Sequence, residues 1–213
     1  SGSRSRGLTN VNGTLFFEGG YGTSTQRELW KSDGTVAGTT MVKDINPGNQ
    51  ESSPRYITDV NGTAYFTADD GTNGRELWKS DGTAAGTVMV KDLFPGSESG
   101  WPERLFNASG TLFFGASNGT SGVELWTSDG TTAGTTLLKD VNLDTNSSFP
   151  FNSVAVGDKT FFVADDGITG RELWVSDGST DGTKLVKDIM PGLGDSRTQS
   201  LTDANGKLFF TAR

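Results

Sequence analysis

The chain has no cysteine and no histidine. Disulfides, thiolate zinc sites, cysteine nucleophiles and histidine general bases are therefore excluded by inspection. Proline is scarce, with six residues in 213, and no run of 18 apolar residues exists to cross a membrane as a helix. Basic residues are outnumbered, 18 against 26 acidic, and the net charge of −8 opposes binding to nucleic acid or anionic lipid. No eleven-residue window carries apolar residues at i, i+3, i+4 and i+7, so no helix is predicted. What the chain has instead is glycine, 30 residues, which with an apolar fraction of only 32% fits a loop-rich all-β architecture.

The dominant positive feature is repetition at an interval of 48 residues. Glu-Leu-Trp occurs at 28–30, 76–78, 124–126 and 172–174, and Asp33, Asp81, Asp129 and Asp177 each follow a Trp by three residues. Such a period marks an array of supersecondary units. Each unit carries four apolar runs. Run a ends in an aromatic pair (Phe16-Phe17, Tyr65-Phe66, Phe113-Phe114, Phe161-Phe162, Phe209-Phe210), and run b is the Glu-Leu-Trp segment. Run c precedes Lys43-Asp44, Lys91-Asp92, Lys139-Asp140 and Lys187-Asp188. Run d, such as 55–60 or 103–106, leads through a Gly-containing turn into the next run a.

Neighbouring residues on a strand point to opposite faces, so Leu beside Trp and Phe beside Phe place bulky groups on both faces of each sheet. Small four-stranded antiparallel sheets stacked on one another bury both faces, and the period lies between those of WD-type (about 40–45) and kelch-type (about 50) blades. A β-propeller of four-stranded antiparallel blades, about four and a half per chain, is the expected fold; a β-solenoid is the alternative. Residues 1–7 read as a cloning scar or linker, and 8–213 as one propeller-type repeat domain. Its units run approximately over 8–56, 57–104, 105–152 and 153–200, with a final partial unit at 201–213.

The string Glu-Leu-Trp-x-Ser-Asp-Gly-Thr at Trp30, Trp78 and Trp126 resembles the bacterial "ELWxxDGT" repeat proteins; the fourth copy departs, with Ser179 in place of Thr. The resemblance implies a propeller-like fold in a secreted or cell-surface parent, and no established chemistry.

The tally of runs, two leading ones and four times four, leaves a half-blade at each end and unpaired edges that soluble proteins rarely tolerate. Two copies would sum to nine blades, so a homodimer or other homo-oligomer is the expected partner, and assembly by strand complementation into a closed ring the expected role. An engineered or excised propeller fragment fits this tally, as does a smaller ring in which redundant terminal strands compete for one place.

Among residues with chemical promise, Asp33, Asp81, Asp129 and Asp177 with their Gly read as structural turns. Asp69-Asp70 and Asp165-Asp166 place paired carboxylates in a loop and are weak calcium candidates, since no copy has EF-hand spacing; no other cofactor is indicated. Trp30, Trp78, Trp126 and Trp174 read as inter-blade core, and the Lys-Asp pairs as solvated cross-strand or inter-blade ion pairs. Trp101 has no counterpart at 53, 149 or 197, which are Ser, Phe and Arg, and it is the first candidate for a ligand-facing aromatic, with Phe149 and Phe151 beside it. The expected function is a non-catalytic structural or interaction module, not an enzyme; the alternative is a multivalent carbohydrate-binding propeller with a glycan partner.

Overall fold

A computed structural model describes residues 6–20, 26–143 and 145–213. Of the leader expected at 1–7, residues 1–5 lie outside the described residues, whereas Arg6 and Gly7 already belong to the first strand. All regular structure among the described residues is β, and every run expected from the sequence forms a strand.

The first sheet contains β1 (Arg6–Val11), β2 (Thr14–Gly20), β3 (Arg27–Ser32) and β4 (Thr40–Lys43) in that order. The second contains β5 (Arg55–Val60), β6 (Thr63–Asp69), β7 (Arg75–Ser80) and β8 (Val88–Lys91). The third contains β9 (Glu103–Ala108), β10 (Thr111–Ser117), β11 (Val123–Ser128) and β12 (Thr136–Lys139), and the fourth β13 (Phe151–Val156), β14 (Lys159–Asp165), β15 (Arg171–Ser176) and β16 (Lys184–Lys187). A two-stranded sheet of β17 (Gln199–Ala204) and β18 (Lys207–Thr211) closes the chain. Each four-stranded sheet is an up-and-down meander, which makes the fold a β-propeller type and excludes the parallel coils of a solenoid.

Every sheet begins with run d. The expectation of a half-blade at each end is thereby corrected: β1 and β2 pair with β3 and β4 into a complete first blade, and only β17–β18 is partial.

The described residues divide into two compact units, one within 6–107 together with 130–132, the other within 108–129 together with 133–213. In the first, Phe16, Leu29 and Val42 of the first blade form one buried cluster with Ala64, Phe66 and Trp78 of the second. Phe66 is wholly buried, a contribution of about 2–3 kcal/mol. In the second unit, Phe162 lies beside Trp174 with ring centroids 6.5 Å apart, and both are buried.

Two lysines of the Lys-Asp pairs donate to main-chain carbonyls of the following blade. Lys43 Nζ donates to the Thr87 carbonyl at 2.8 Å and sits 5.9 Å from the Trp78 ring centroid, while Lys139 Nζ donates to the Thr183 carbonyl at 2.7 Å. The inter-blade reach expected of these pairs is present for Lys43 and Lys139, with a carbonyl of the next blade's b-to-c loop as the partner in place of a carboxylate.

Candidate functional site

The b-to-c loops are turns built from their own residues. Asp33 Oδ1 accepts from the Thr35 amide at 2.9 Å and its hydroxyl at 2.7 Å, and Thr39 Oγ1 donates to the Thr35 carbonyl at 2.6 Å. The Thr35 hydroxyl and amide hold the Asp33 carboxyl below its usual range, and Thr83 and Ser179 do the same for Asp81 and Asp177. A Cβ at Gly38 would collide with the Asp33 carboxylate, which explains the second Gly of the repeat.

The paired carboxylates are likewise engaged within their loops. Asp69 accepts from the Gly71 amide at 2.7 Å, and Asp70 accepts from the Thr72 and Asn73 amides at 2.9 and 2.8 Å. Burial raises the Asp70 carboxyl, but these amides and the Asn73 side chain outweigh it and hold it below the carboxylate range. Asp165 and Asp166 repeat the pattern with Gly167, Ile168 and Thr169. Asn118, which is neutral, makes the same bonds to Thr120 and Ser121, so the loop needs an acceptor and not a charge. Among the described residues no three Asp or Glu side chains gather as a metal would require.

Trp78, Trp126 and Trp174 are buried and Trp30 is half-buried. The indole N–H of Trp126 donates to the Ala116 carbonyl at 3.0 Å.

The c-to-d loops differ from all of these because their backbone is constrained while most side chains of the two columns, Ser53 excepted, are displayed. Ser53, Trp101, Phe149 and Arg197 occupy one column of the repeat with φ of 45°, 49°, 46° and 51°. The first three precede proline, which disfavours helical φ,ψ further. Three residues on, Tyr56, Arg104, Asn152 and Ser200 form a second column with φ of 54°, 55°, 53° and 56°, and Tyr56, Asn152 and Ser200 lie inside the bulge where run d slips against run a. A left-handed residue other than Gly costs about 1–2 kcal/mol, and such strain persists only where surroundings enforce it. In the first three blades the Glu of Glu-Leu-Trp ties together the two ends of the loop before these columns, while the fourth blade keeps both left-handed residues without that tie.

Each of these Glu side chains is buried. Glu76 accepts from the Leu93 amide at 2.8 Å and the Gly100 amide at 2.6 Å, thus joining both ends of its loop. Glu124 accepts from the Val141 and Ser148 amides, both at 2.8 Å, and from the Ser148 hydroxyl at 2.7 Å; Glu28 binds Ile45 and Ser52 in the same way. Glu172 departs, accepting at 3.2 Å from the adjacent amides of Ile189 and Met190 at one end only. Burial pushes the Glu76 and Glu124 carboxyls up to about 7 against the lowering effect of those hydrogen bonds, and raises Glu28 for the same reason. Further ties run to the neighbouring strands: Ser53 and Trp101 amides donate to the Arg27 and Arg75 carbonyls at 3.0 and 3.3 Å, and Arg75 Nη1 donates to the Ser53 carbonyl at 2.8 Å.

On this frame Trp101 is 58% exposed and Phe149 43%, whereas Phe151 is half-buried with the Arg171 guanidinium 6.0 Å from its ring centroid. Phe151 therefore belongs to the packing of its strand. Tyr56, 45% exposed, was not indicated by the sequence reading, and neither was Arg104. Their signal is the variability of one column beside an otherwise repeated run.

No protein-family model matches the chain, and no curated protein matches it in sequence. Solved structures do resemble it. A structure of prolyl endopeptidases matches 98% of this chain and 30% of its own at 13% identity and a TM-score of 0.53. An α-L-arabinofuranosidase from Clostridium thermocellum matches 98% of this chain and 80% of its own at 12% identity and a TM-score of 0.38. An endo-arabinase from Bacteroides thetaiotaomicron matches 93% and 84% at 15% identity and a TM-score of 0.37. The chain thus spans under a third of the endopeptidase, and at these identities the likeness concerns fold alone.

Proposed function

We propose that the chain is a non-catalytic structural and interaction module that assembles through its repeat strands and displays the c-to-d columns. The supporting observation is a duplicated hairpin with two fates. The hairpin β17–β18 repeats β1–β2 in register, Thr202 opposite Phe209 as Thr9 is opposite Phe16, yet Phe209 is 59% exposed and Phe16 only 3%. In every other blade the strand equivalent to β18 takes a Glu-Leu-Trp strand on its outer edge; β18 pairs with β17 alone among the described residues. The two hairpins are alternatives for one place. Complementation therefore proceeds by exchange, β17–β18 of one copy taking the position of β1–β2 beside β3 of a second copy. Exchange of identical elements is a low-cost route to an oligomer.

Light scattering coupled to size exclusion tests this reading. The expected mass is twice the 22.5 kDa of one chain, falling to one chain when residues 197–213 are removed. A full-length monomer would sink it.

A carbohydrate-binding reading draws support from one residue, the exposed Trp101, whose face suits stacking on a sugar ring. Because its column holds Ser, Trp, Phe and Arg in turn, equivalent pockets in every blade are not part of that reading.

A further inference from the structure

One place in the repeat is filled in the first unit and open in the second. Lys31 Nζ donates to the Gly82 carbonyl of the following blade's b-to-c turn at 2.8 Å, and Lys79 Nζ donates to the Gly130 carbonyl at 2.9 Å. Both lysines lie directly across the strand pair from an aromatic ring, Lys31 opposite Phe16 and Lys79 opposite Tyr65, so the side chain runs beside a ring to reach a carbonyl. The equivalent residue opposite Phe113 is Thr127, too short to make that reach, and the equivalent carbonyl is that of Gly178. The consequence is measurable in space. A Cβ at Gly82 would meet Phe16 at 3.3 Å and Lys31 at 3.8 Å, whereas at Gly178 it would meet nothing within 4 Å. In that position lies a cleft of about 390 Å³ whose lining includes Phe113, Ser109, Asp158, Lys159, Asp177 and Gly178.

We propose that this cleft binds a primary alkylammonium group, its carbon chain along Phe113 and its ammonium on the Gly178 carbonyl, the seat that lysine fills in the two sibling positions. The lining carries two carboxylates, Asp158 and Asp177, against one ammonium, Lys159, which favours a cation over an anion. Asp177 is held in its ionised form by the Ser179 amide at 2.9 Å and hydroxyl at 2.6 Å. A compact ammonium on a flexible stem matches a single carbonyl at the end of an apolar wall; a guanidinium is a planar fork better matched to carboxylate pairs. The stem gains by leaving water, as lysine stems do on apolar surface. The group can come from a free amine or from a lysine side chain of another polypeptide.

Calorimetric titration with n-pentylammonium, with 1-pentanol as the neutral isostere, tests the seat. Binding of one n-pentylammonium with a Kd of about 1 mM is expected, with 1-pentanol at least about tenfold weaker. Nα-acetyl-lysine methylamide binding more tightly than n-pentylammonium assigns the seat to a lysine of a partner chain, and equal or weaker binding assigns it to a free amine. T127K supplies the missing ammonium from within; it should abolish the titration and raise Tm by about 2–4 °C. K31T should do the reverse, opening a second seat at Gly82 and doubling the stoichiometry. Equal binding of 1-pentanol, unaltered binding by T127K, unchanged stoichiometry in K31T, or no saturable binding of n-pentylammonium to the unaltered chain would each overturn the proposal.

Discussion

Val42 and Val186 hold the same position in β4 and β16, yet the first is 7% exposed and the second 46%. Their strands form equally well, since each pairs with its Glu-Leu-Trp neighbour in the same bulged register, Leu29 opposite Lys43 and Leu173 opposite Lys187. Val42 is buried against the blade that follows, whereas β16 is followed only by a half-blade that lacks the two outer strands. The difference separates two sources of order. Strand pairing is settled within a blade, but burial of its apolar faces is supplied by the next one, as in arrays whose stability is a sum of intrinsic and nearest-neighbour contributions.

The Glu staples carry the same contrast into the loops and give the sharpest way to break it. Removing the Glu76 carboxylate leaves the Leu93 and Gly100 amides without their acceptor in a buried place, and E76A should lose about 3 kcal/mol. E172A removes longer bonds at one loop end only and should lose about 1 kcal/mol. Urea unfolding of both variants measures the gap; equal losses would show that the loop ends are held by something other than the carboxylate.

A second test uses pH. Glu76 and Glu124 titrate near 7 in the folded chain against the ordinary 4.5, so between those values the folded state retains protons that the unfolded chain has released. Their contribution is complete below pH 4.5 and is lost as pH rises through 7, a decline of about 3 kcal/mol per group in unfolding free energy as an upper bound. The double variant E76Q/E124Q should flatten that slope. A slope unchanged by the double substitution would place its origin elsewhere.

The smallest effect concerns the displayed column. W101G removes a side chain from a left-handed position and should raise stability by about 1 kcal/mol, and S53G by a similar amount, although the one side chain is exposed and the other buried. A loss in W101G alone would mean that the Trp101 ring packs more than its exposure indicates.

Much of the fold was legible because its signals are local. The aromatic pairs, the Glu-Leu-Trp runs and the Asp-Gly turns each specify a strand or a reversal from adjacent residues. Trp101 and Phe149 stood out as departures from a repeated pattern. Tyr56 and Arg104 did not, because nothing in a tyrosine or an arginine announces a left-handed backbone. At Tyr56 that conformation goes with bulged pairing, and the loops before the two residues are tied by amides 17 and 24 residues beyond Glu28 and Glu76, distances that no local signal spans. For Lys43 the inter-blade reach was legible but its partner was not, because a main-chain carbonyl 44 residues away, that of Thr87, leaves no mark in the sequence. The position of the half-blade was ambiguous since β1–β2 and β17–β18 are near copies, and only the pairing of β2 with β3 decides it.

The Glu staple also separates the cost of a loop's shape from the identity of its side chains. In the first three blades the bonds that close the loop run from a strand carboxylate to main-chain amides, so residues as unlike as Trp101 and Phe149, or Tyr56 and Arg104, stand on one frame. Each repeat thus keeps the same backbone address for a different letter, and the scaffold is spelled by one set of residues while the columns are spelled by another.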